Sequence, residues 1–403
     1  MFNEPGRPLF GFGGAGIEIN YDNAALLRAA LFLRRNAATN LQSIAVSEVE
    51  SSITNFVTAN FWIIAPPIIE HFLQNMTVKS PSDVAFAEVV PEDVKKAFAE
   101  AMANSSLFVE PKDLTLFPLV VVRVEAEFIA DDFFLCPPTN LRPELLPGGW
   151  QVTDIEPDTF PPLKQWDGKR WTPAAWLGVW AGSIEVARRK RGAILGATAL
   201  LPHRLERYTF SGRSLFGGQI TVKDDRSSSL SIGDPHTPAL MEDVIIGTSD
   251  RDWLAVLGAK IRSASKSDKK QMRSLEYYYR AWIPDSARRF PILFGALDAI
   301  YGDAGAATQS VIDAIGPVMG ESYDYVRLKL LLSLRASVIH GGAPNVYESS
   351  AYHKYYEQYG EDAVRDLELI TARCLQTVIF GAAMTERPHT HAALIKQETG
   401  RTI

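Results

Sequence analysis

The chain has very little cysteine and no excess of basic residues. Cys136 and Cys374 are the only cysteines among 403 residues, and neither has a second cysteine at metal-ligand spacing. This pattern argues against a disulfide framework and a zinc ribbon, and it favours a reducing, cytoplasmic location. With a net charge of −6 and a pI near 5.7, the protein has no overall positive field. Any binding of nucleic acid therefore requires a local patch or one created by assembly.

Long hydrophobic runs and export signals are also missing. The longest apolar runs, such as residues 61–69 with two prolines, are too short to cross a bilayer. The first residues lack a basic start followed by an apolar core, so we expect neither export nor a membrane partner. The 46% of hydrophobic residues is nevertheless enough for the cores of two or three folded domains.

The sequence contains no convincing motif for a cofactor or a metal. The glycines of residues 11–16 match a dinucleotide fingerprint formally, but the alternating residues that follow predict a strand instead of the required helix. His389 and His391 lack a carboxylate or thiol at a ligand spacing. The first 260 residues show no nucleophile elbow and no P-loop. We therefore expect no cofactor and no metal in the protein, and no catalytic set in the first 260 residues.

Residues 1–262 have the pattern of an α+β domain of unknown role, with a subdomain break near residues 140–170. Apolar spacing and capping residues predict helices over residues 23–35, 47–60, 91–103, 172–200 and 251–261. Alternation of apolar and polar residues predicts strands over residues 122–128, 133–136 and 216–223. A polar stretch at residues 263–268 then predicts the domain boundary.

After this boundary the pattern becomes helical throughout. Predicted helices occupy residues 267–282, 286–301, 304–315, 322–342 and 361–384, with a polar and aromatic segment over residues 345–359. Short connections between such helices are typical of an antiparallel bundle. We therefore predict an all-α bundle of four to five helices over residues 265–384. Residues 385–403 show no periodic core face and are predicted to form a flexible tail.

The predicted helix at residues 322–342 contains two residues that call for an explanation. It is apolar around most of its circumference, yet Arg335 lies on an apolar stripe, where a guanidinium is costly to bury without an anion or fixed acceptors. His340 lies near the helix end, directly before Gly341 and Gly342. Arginine matches the shape of a phosphate and histidine can transfer the proton of a ribose hydroxyl, so the pair suits RNA cleavage without a metal.

The segment from Arg335 to His340, at the end of an apolar helix, resembles the motif of the HEPN superfamily, in particular its ApeA-like branch. Residues 296–301, with the sequence Ala-Leu-Asp-Ala-Ile-Tyr, are similar to the alanine-leucine-acid helix of that family. The resemblance covers residues 265–384. It implies a HEPN-like bundle and a metal-independent endoribonuclease in which the 2′-hydroxyl attacks the adjacent phosphate. It also implies RNA as substrate, a homodimer, and a role in bacterial defence, such as phage defence, or as a toxin or in stress.

The site that this resemblance implies has Arg335 and His340 as catalytic residues. Because one chain supplies one histidine and the reaction needs both a base and an acid, two copies of the motif are expected to share one cleft. Ala336 replaces the polar residue that many active family members have after the arginine. Candidate supporting groups are Ser337, Asp298 and Tyr352, and Tyr352 and His353 are candidates for base contacts.

Two other interpretations of the same residues remain open. In the first, Arg335 binds carbonyl groups at a neighbouring helix end, and His340 is simply a favourable residue for a last helical turn. In the second, the bundle is a catalytically inactive dimerisation or binding module, and the N-terminal region is a sensor.

The chain has a single dense basic cluster, which consists of Arg188, Arg189, Lys190 and Arg191. A cluster of this kind is a candidate for binding RNA phosphates. It is also typical of a solvated helix surface, because four residues are fewer than most nucleic-acid footprints require.

Overall fold

The computed structural model describes residues 7–12, 17–37, 39–42, 44–75, 86–155, 160, 172–283, 285–302, 307–320, 324–339 and 345–399. The chain divides into two compact units, Met1–Lys112 and Asp113–Ile403. The first unit combines a β-hairpin with helices, and the second combines antiparallel strands with a mostly helical C-terminal part. The chain is thus an α+β protein whose C-terminal part is predominantly helical, in agreement with the coarse prediction.

The first unit begins with an antiparallel hairpin, followed by helices. The hairpin consists of β1 (Arg7–Phe12) and β2 (Ile17–Tyr21). The helices are α1 (Asn23–Asn36), α2 (Thr39–Gln42), α3 (Val46–Ala59), α4 (Phe61–Asn75), α5 (Phe86–Val89) and α6 (Glu92–Ala103). The Asp22 side chain caps α1 by accepting a hydrogen bond from the backbone N–H of Ala25. Helices α1, α3 and α6 confirm the predictions for residues 23–35, 47–60 and 91–103.

The strands of the second unit form two sheets. They are β3 (Asp113–Leu119), β4 (Val122–Val124), β5 (Phe128–Ile129), β6 (Phe133–Cys136), β7 (Ala175–Ala181), β8 (Gly217–Val222), β9 (Ser228–Pro235) and β10 (Val244–Ile246). The larger sheet is antiparallel with the order β5-β6-β7-β3-β8-β9, and β4 pairs in parallel with β10. Strands β6 and β8 confirm the predictions for residues 133–136 and 216–223. The predicted strand at residues 122–128 is instead divided between β4 and β5.

Both faces of the larger sheet are covered, so its central strands are buried on both sides. On one face, Leu177 and Val179 belong to the main core, which they share with the helices. On the other face, Leu116 and Trp176 pack against a loop that carries Trp150. Strand β7 therefore lacks the polar alternation of a half-buried strand. This explains why the prediction of a helix over residues 172–200 was wrong in its first third.

The remaining helices belong to the second unit. They are α7 (Ile184–Thr198), α8 (Arg251–Arg262), α9 (Lys266–Trp282), α10 (Ser286–Tyr301), α11 (Ala307–Met319), α12 (Tyr325–Ile339), α13 (Ser350–Tyr359), α14 (Ala363–Leu375) and α15 (Ala392–Thr399). Helix α9 packs between α7 and α10, and α10 also contacts α11, α12 and α14. Helix α10 therefore lies at the centre of the helical part.

The close packing of α7 on α9 joins the sheet to the helices. A Cβ atom added at Gly196 on α7 would lie only 2.0 Å from the backbone oxygen of Leu275 on α9, so glycine is required for this approach. Sheet and helical residues share one hydrophobic core. The structure consequently divides after Lys112 and not between residues 262 and 265, where the sequence predicts a domain boundary. The predicted break near residues 140–170 falls partly on residues outside the described ranges.

Two C-terminal segments differ from their predictions. Residues predicted as a polar segment before residue 360 form α13, because the Ser349 side chain caps its start and Gly360, with φ +65°, ends it. The predicted flexible tail contains α15, and its first residues are held in place: Arg387 donates to Asp250 at 2.9 Å, and Glu386 accepts from Arg207 at 3.3 Å. Buried ion-pair partners that are distant in sequence anchor this segment.

Among the described residues, no single helix has the length and hydrophobicity needed to cross a bilayer. One bent pair, Val46–Ala59 with Phe61–His71 at an angle of 64°, meets these criteria only when its two helices are combined.

Candidate functional site

The centre of the predicted site is an ion pair between α12 and α10. Arg335 on α12 donates from Nη1 to Oδ1 of Asp298 at 3.2 Å, and its Nη2 forms a second, shorter bond to Oδ2. The two residues are 37 positions apart in sequence, and both side chains are roughly three-quarters buried. The structure thus brings together two residues of the predicted site, one catalytic and one supporting.

The pair is held against an aromatic ring. The guanidinium carbon of Arg335 lies 5.5 Å from the ring centroid of Phe294, which is one helical turn before Asp298 on α10. Burial raises the pKa of Asp298 above its ordinary value, and the charge of Arg335 opposes this change. A guanidinium has five N–H donors, and in the described ranges Asp298 engages two of those of Arg335. Arg335 is therefore fixed in orientation.

The other predicted residues of α12 lie at the edge of what the structure describes. Ser337 is part of the helix, but its side chain lies outside the described residues, as does the whole of His340. In the sequence, His340 directly follows Ile339, the last residue of α12.

Tyr352 and His353 lie on α13, which packs against α12. The Tyr352 ring contacts Tyr347 edge-on with a centroid distance of 5.0 Å, and burial raises the pKa of Tyr352 to about 12. His353 is exposed. Tyr352 has no hydrogen bond to Arg335 or Asp298 in the described ranges. The structure therefore places Tyr352 in an aromatic cluster with Tyr347.

The basic cluster on α7 is divided between two sides of the helix. Lys190 pairs with Asp132 at 3.1 Å and donates to the Trp180 carbonyl group at 2.8 Å. Arg189 contacts the helix backbone at Glu185. Arg188 and Arg191, three residues apart, instead line a cleft of about 630 Å³. The four residues do not form the single phosphate-binding face that the sequence suggested.

Sequence reasoning missed a buried polar network beneath the helices. Arg207 is fully buried and donates to Glu368 at 2.5 Å, and the hydroxyl of Tyr278 donates to the same carboxylate at 2.7 Å. The members lie on widely separated parts of the chain, so no local spacing indicates the network. Its burial and the several hydrogen bonds of Arg207 are typical of a structural role.

In the parts of the chain that the structure describes, no group of three His, Cys, Asp or Glu residues is arranged to hold a metal ion.

Comparison of the chain with protein-family models, with curated proteins and with solved structures finds no match. The HEPN resemblance therefore stays a prediction that rests on the residues of this chain.

Proposed function

We propose that the protein is a metal-independent endoribonuclease of HEPN type that acts as a dimer in bacterial defence, as a toxin or in a stress response. The observation that carries the proposal is the bidentate pair of Arg335 with Asp298. An arginine held in this way is oriented for phosphate recognition, and five residues later the sequence supplies His340, whose side chain can transfer protons.

In the proposed reaction, Arg335 binds the scissile phosphate through donors that Asp298 does not use. His340 takes the proton from the ribose 2′-hydroxyl as its oxygen attacks phosphorus, and the bond from phosphorus to the 5′-oxygen breaks. The leaving 5′-oxygen takes a proton from His340 of the second copy, and a 2′,3′-cyclic phosphate results. Two copies of the motif in one cleft supply both the base and the acid.

One observation favours the alternative of a catalytically inactive dimerisation or binding module. The carboxylate of Asp298 compensates the charge of Arg335, which weakens the attraction of the guanidinium for a phosphate. In this alternative the ion pair holds α10 and α12 together, and the N-terminal region senses a ligand or partner.

The experiment compares two arginines on the same helix. Arg327, like Arg335, lies on α12 and forms an ion pair, in its case with Asp366. We expect Arg335→Ala to reduce cleavage of labelled transfer RNA in EDTA by about 100-fold or more, the usual effect of removing a group that stabilises charge in a transition state. Arg327→Ala should retain cleavage, because it removes a comparable ion pair about 12 Å away along the helix.

Folding is checked for both variants by circular dichroism and thermal unfolding. Equal activities of the two folded variants, or no cleavage by the unmodified protein on any RNA tested, would favour the inactive module. Asp298→Asn supplies a third comparison. If the protein is a nuclease, Asp298→Asn should lower kcat by about tenfold with little change in KM, because Arg335 loses its orientation but keeps its charge.

A further inference from the structure

A second site is suggested by the cleft that Arg188 and Arg191 line. It has a volume of about 630 Å³ and lies among α7, α9, the start of α10 and the strands β8 and β9. This volume is in the range of small-molecule binding sites. Its lining contains four arginines and a single acidic residue among the residues described there: Arg188, Arg191, Arg280, Arg288 and Asp234.

Arg191 is held firmly within the cleft by groups that do not neutralise it. Its guanidinium lies 5.1 Å from the ring centroid of Phe117 and 5.6 Å from that of Tyr279. Within the described ranges, no carboxylate lies close enough to Arg191 to form an ion pair, and its buried Nε has no hydrogen-bond partner. Burial lowers the pKa of Arg191, and the neighbouring Arg188 adds to this effect. A guanidinium in such surroundings is stabilised by an anion.

His236 fixes the position of Arg191 as a neutral acceptor. The imidazole is buried, and its Nε2 lies 2.6 Å from the carbonyl oxygen of Gly218, so Nε2 carries the proton and donates it. Its Nδ1 then accepts from Nη1 of Arg191 at 3.0 Å. Burial and the charge of Arg191 lower the pKa of His236 to about 3, so the ring stays uncharged near neutral pH. Arg191 thus donates a hydrogen bond to a neutral partner, and within the described ranges no ion pair compensates its positive charge.

A β-bulge in β8 directs the Gly218 carbonyl group toward His236. The register of β8 against β9 shifts between Gly217 and Gln219, and Gly218 has φ +96°. A Cβ atom at Gly218 would lie 2.4 Å from the backbone oxygen of Ser231, so only glycine fits without displacement. Bulges of this kind often occur next to binding sites, where they redirect local groups.

The charge around the cleft remains positive after nearby ion pairs are counted. Arg280 pairs with Glu276 and Arg288 pairs with Asp285, so these two guanidiniums are compensated. The remaining charged residues of the lining are Asp234, with one negative charge, and Arg188 and Arg191, with two positive charges. Arg188 is exposed and makes one long hydrogen bond, of 3.4 Å, to Gln219. A net positive charge is therefore concentrated in a concave site of an acidic protein.

We infer that this cleft binds the phosphate group of a small phosphorylated ligand of nucleotide size, with Arg188 and Arg191 as its phosphate-binding residues. Two guanidiniums on one helix face present planar donor groups that match phosphate oxygens. A site that contains arginines and no lysine suits anions with paired oxygens, such as phosphates, because bidentate bonding adds orientation to charge.

This site is separate from the proposed nuclease site. Arg288 in the cleft and Asp298 in the ion pair are ten residues apart on α10, which corresponds to about 15 Å along the helix. The inference does not depend on RNA cleavage, and its failure would leave the proposed nuclease unaffected.

The test measures binding to the full chain by isothermal titration calorimetry at constant ionic strength. The probes are inorganic pyrophosphate, the four ribonucleoside 5′-monophosphates, and an RNA tetranucleotide with and without a 5′-phosphate. Binding of pyrophosphate or a nucleotide supports a small ligand. Binding of the 5′-phosphorylated tetranucleotide alone would instead identify an RNA end as the source of the phosphate and overturn the small-ligand inference.

The variants decide whether binding occurs in the cleft. We expect Arg188→Ala to raise the Kd at least about tenfold, the usual loss for one charge-assisted hydrogen bond. Its exposure makes a folding defect improbable, and Arg288→Ala, also exposed, provides a second cleft variant. The matched control is Arg373→Ala, which removes an exposed arginine from α14 outside the cleft and should leave the Kd unchanged. Absence of binding at millimolar concentrations, or equal Kd values for all variants, would overturn the inference.

Discussion

Replacing Glu368 by alanine should destabilise the second unit strongly. Glu368 on α14 is 2% exposed and accepts from Arg207, which is completely buried. Without the carboxylate, Arg207 would keep its bonds to the backbone oxygens of Leu200 and Pro202 and its longer bond to Glu386. The buried charge of Arg207 would have lost its nearest counterion, the carboxylate of Glu368.

The magnitude follows from the two bonds that are lost. Removing one partner of a buried ion pair costs about 3–5 kcal/mol, and the hydroxyl of Tyr278 loses an acceptor worth about 1 kcal/mol. Because Glu386 supplies partial compensation at 3.3 Å, we expect a loss of about 4 kcal/mol in the free energy of unfolding. Glu368→Gln, which keeps a carbonyl acceptor, should lose about half as much.

Urea unfolding followed by tryptophan fluorescence measures these losses. The control is Arg288→Ala, which removes an ion pair with Asp285 in which both side chains are exposed, and it should change stability by less than about 1 kcal/mol. Since Arg207 lies before the helical part and Glu368 within it, amide hydrogen exchange in β7 and α14 should accelerate together. A loss below about 1 kcal/mol for Glu368→Ala, or acceleration in α14 alone, would refute both the role of the network and the single folding unit.

Two further predictions concern other parts of the second unit. The pKa of His236 is lowered to about 3, so below pH 6.5 only the unfolded chain gains a proton at this residue. The free energy of unfolding should therefore fall by about 1.4 kcal/mol for each unit by which the pH decreases. In urea unfolding between pH 6.5 and 5, His236→Asn should show a correspondingly flatter dependence of this free energy on pH. Gly196→Ala should cost about 2 kcal/mol in the same assay because of the Leu275 carbonyl group, whereas Gly212→Ala, with open space, should change little.

The elements that the sequence predicted well are those with a single exposed face. Helices α1, α9 and α10 have clear caps and apolar stripes, and their bounds agree with prediction within one or two residues. Strand β7 failed because both of its faces are buried, so its apolar run carried no period that distinguishes strand from helix. Helix α13 failed because its surface is polar and only its caps identify it.

The Arg335 site and the cleft around His236 also differ in how far the sequence predicts them. Asp298 and Arg335 are both candidate site residues in the sequence because each belongs to a recognisable helical segment, but their ion pair was not predicted. The cleft around His236 was not anticipated, because its residues come from three helices and two strands and none of them forms a motif by itself. Its only sequence signals are the spacing of Arg188 and Arg191 and the paired glycines that permit the bulge. Sites assembled by tertiary packing leave few local traces.

The most direct test of the central claim is whether two copies of the motif form one RNA-cleaving cleft. Wild-type protein is co-expressed with a ninefold excess of His340→Ala protein carrying a different tag, and RNA cleavage in EDTA is measured per wild-type chain. If both histidines act in one cleft, random pairing leaves about one-tenth of wild-type chains with a wild-type partner, and activity should fall to about that fraction. Unchanged activity per wild-type chain would contradict the shared cleft, and absence of cleavage by the wild-type protein alone would contradict the nuclease itself.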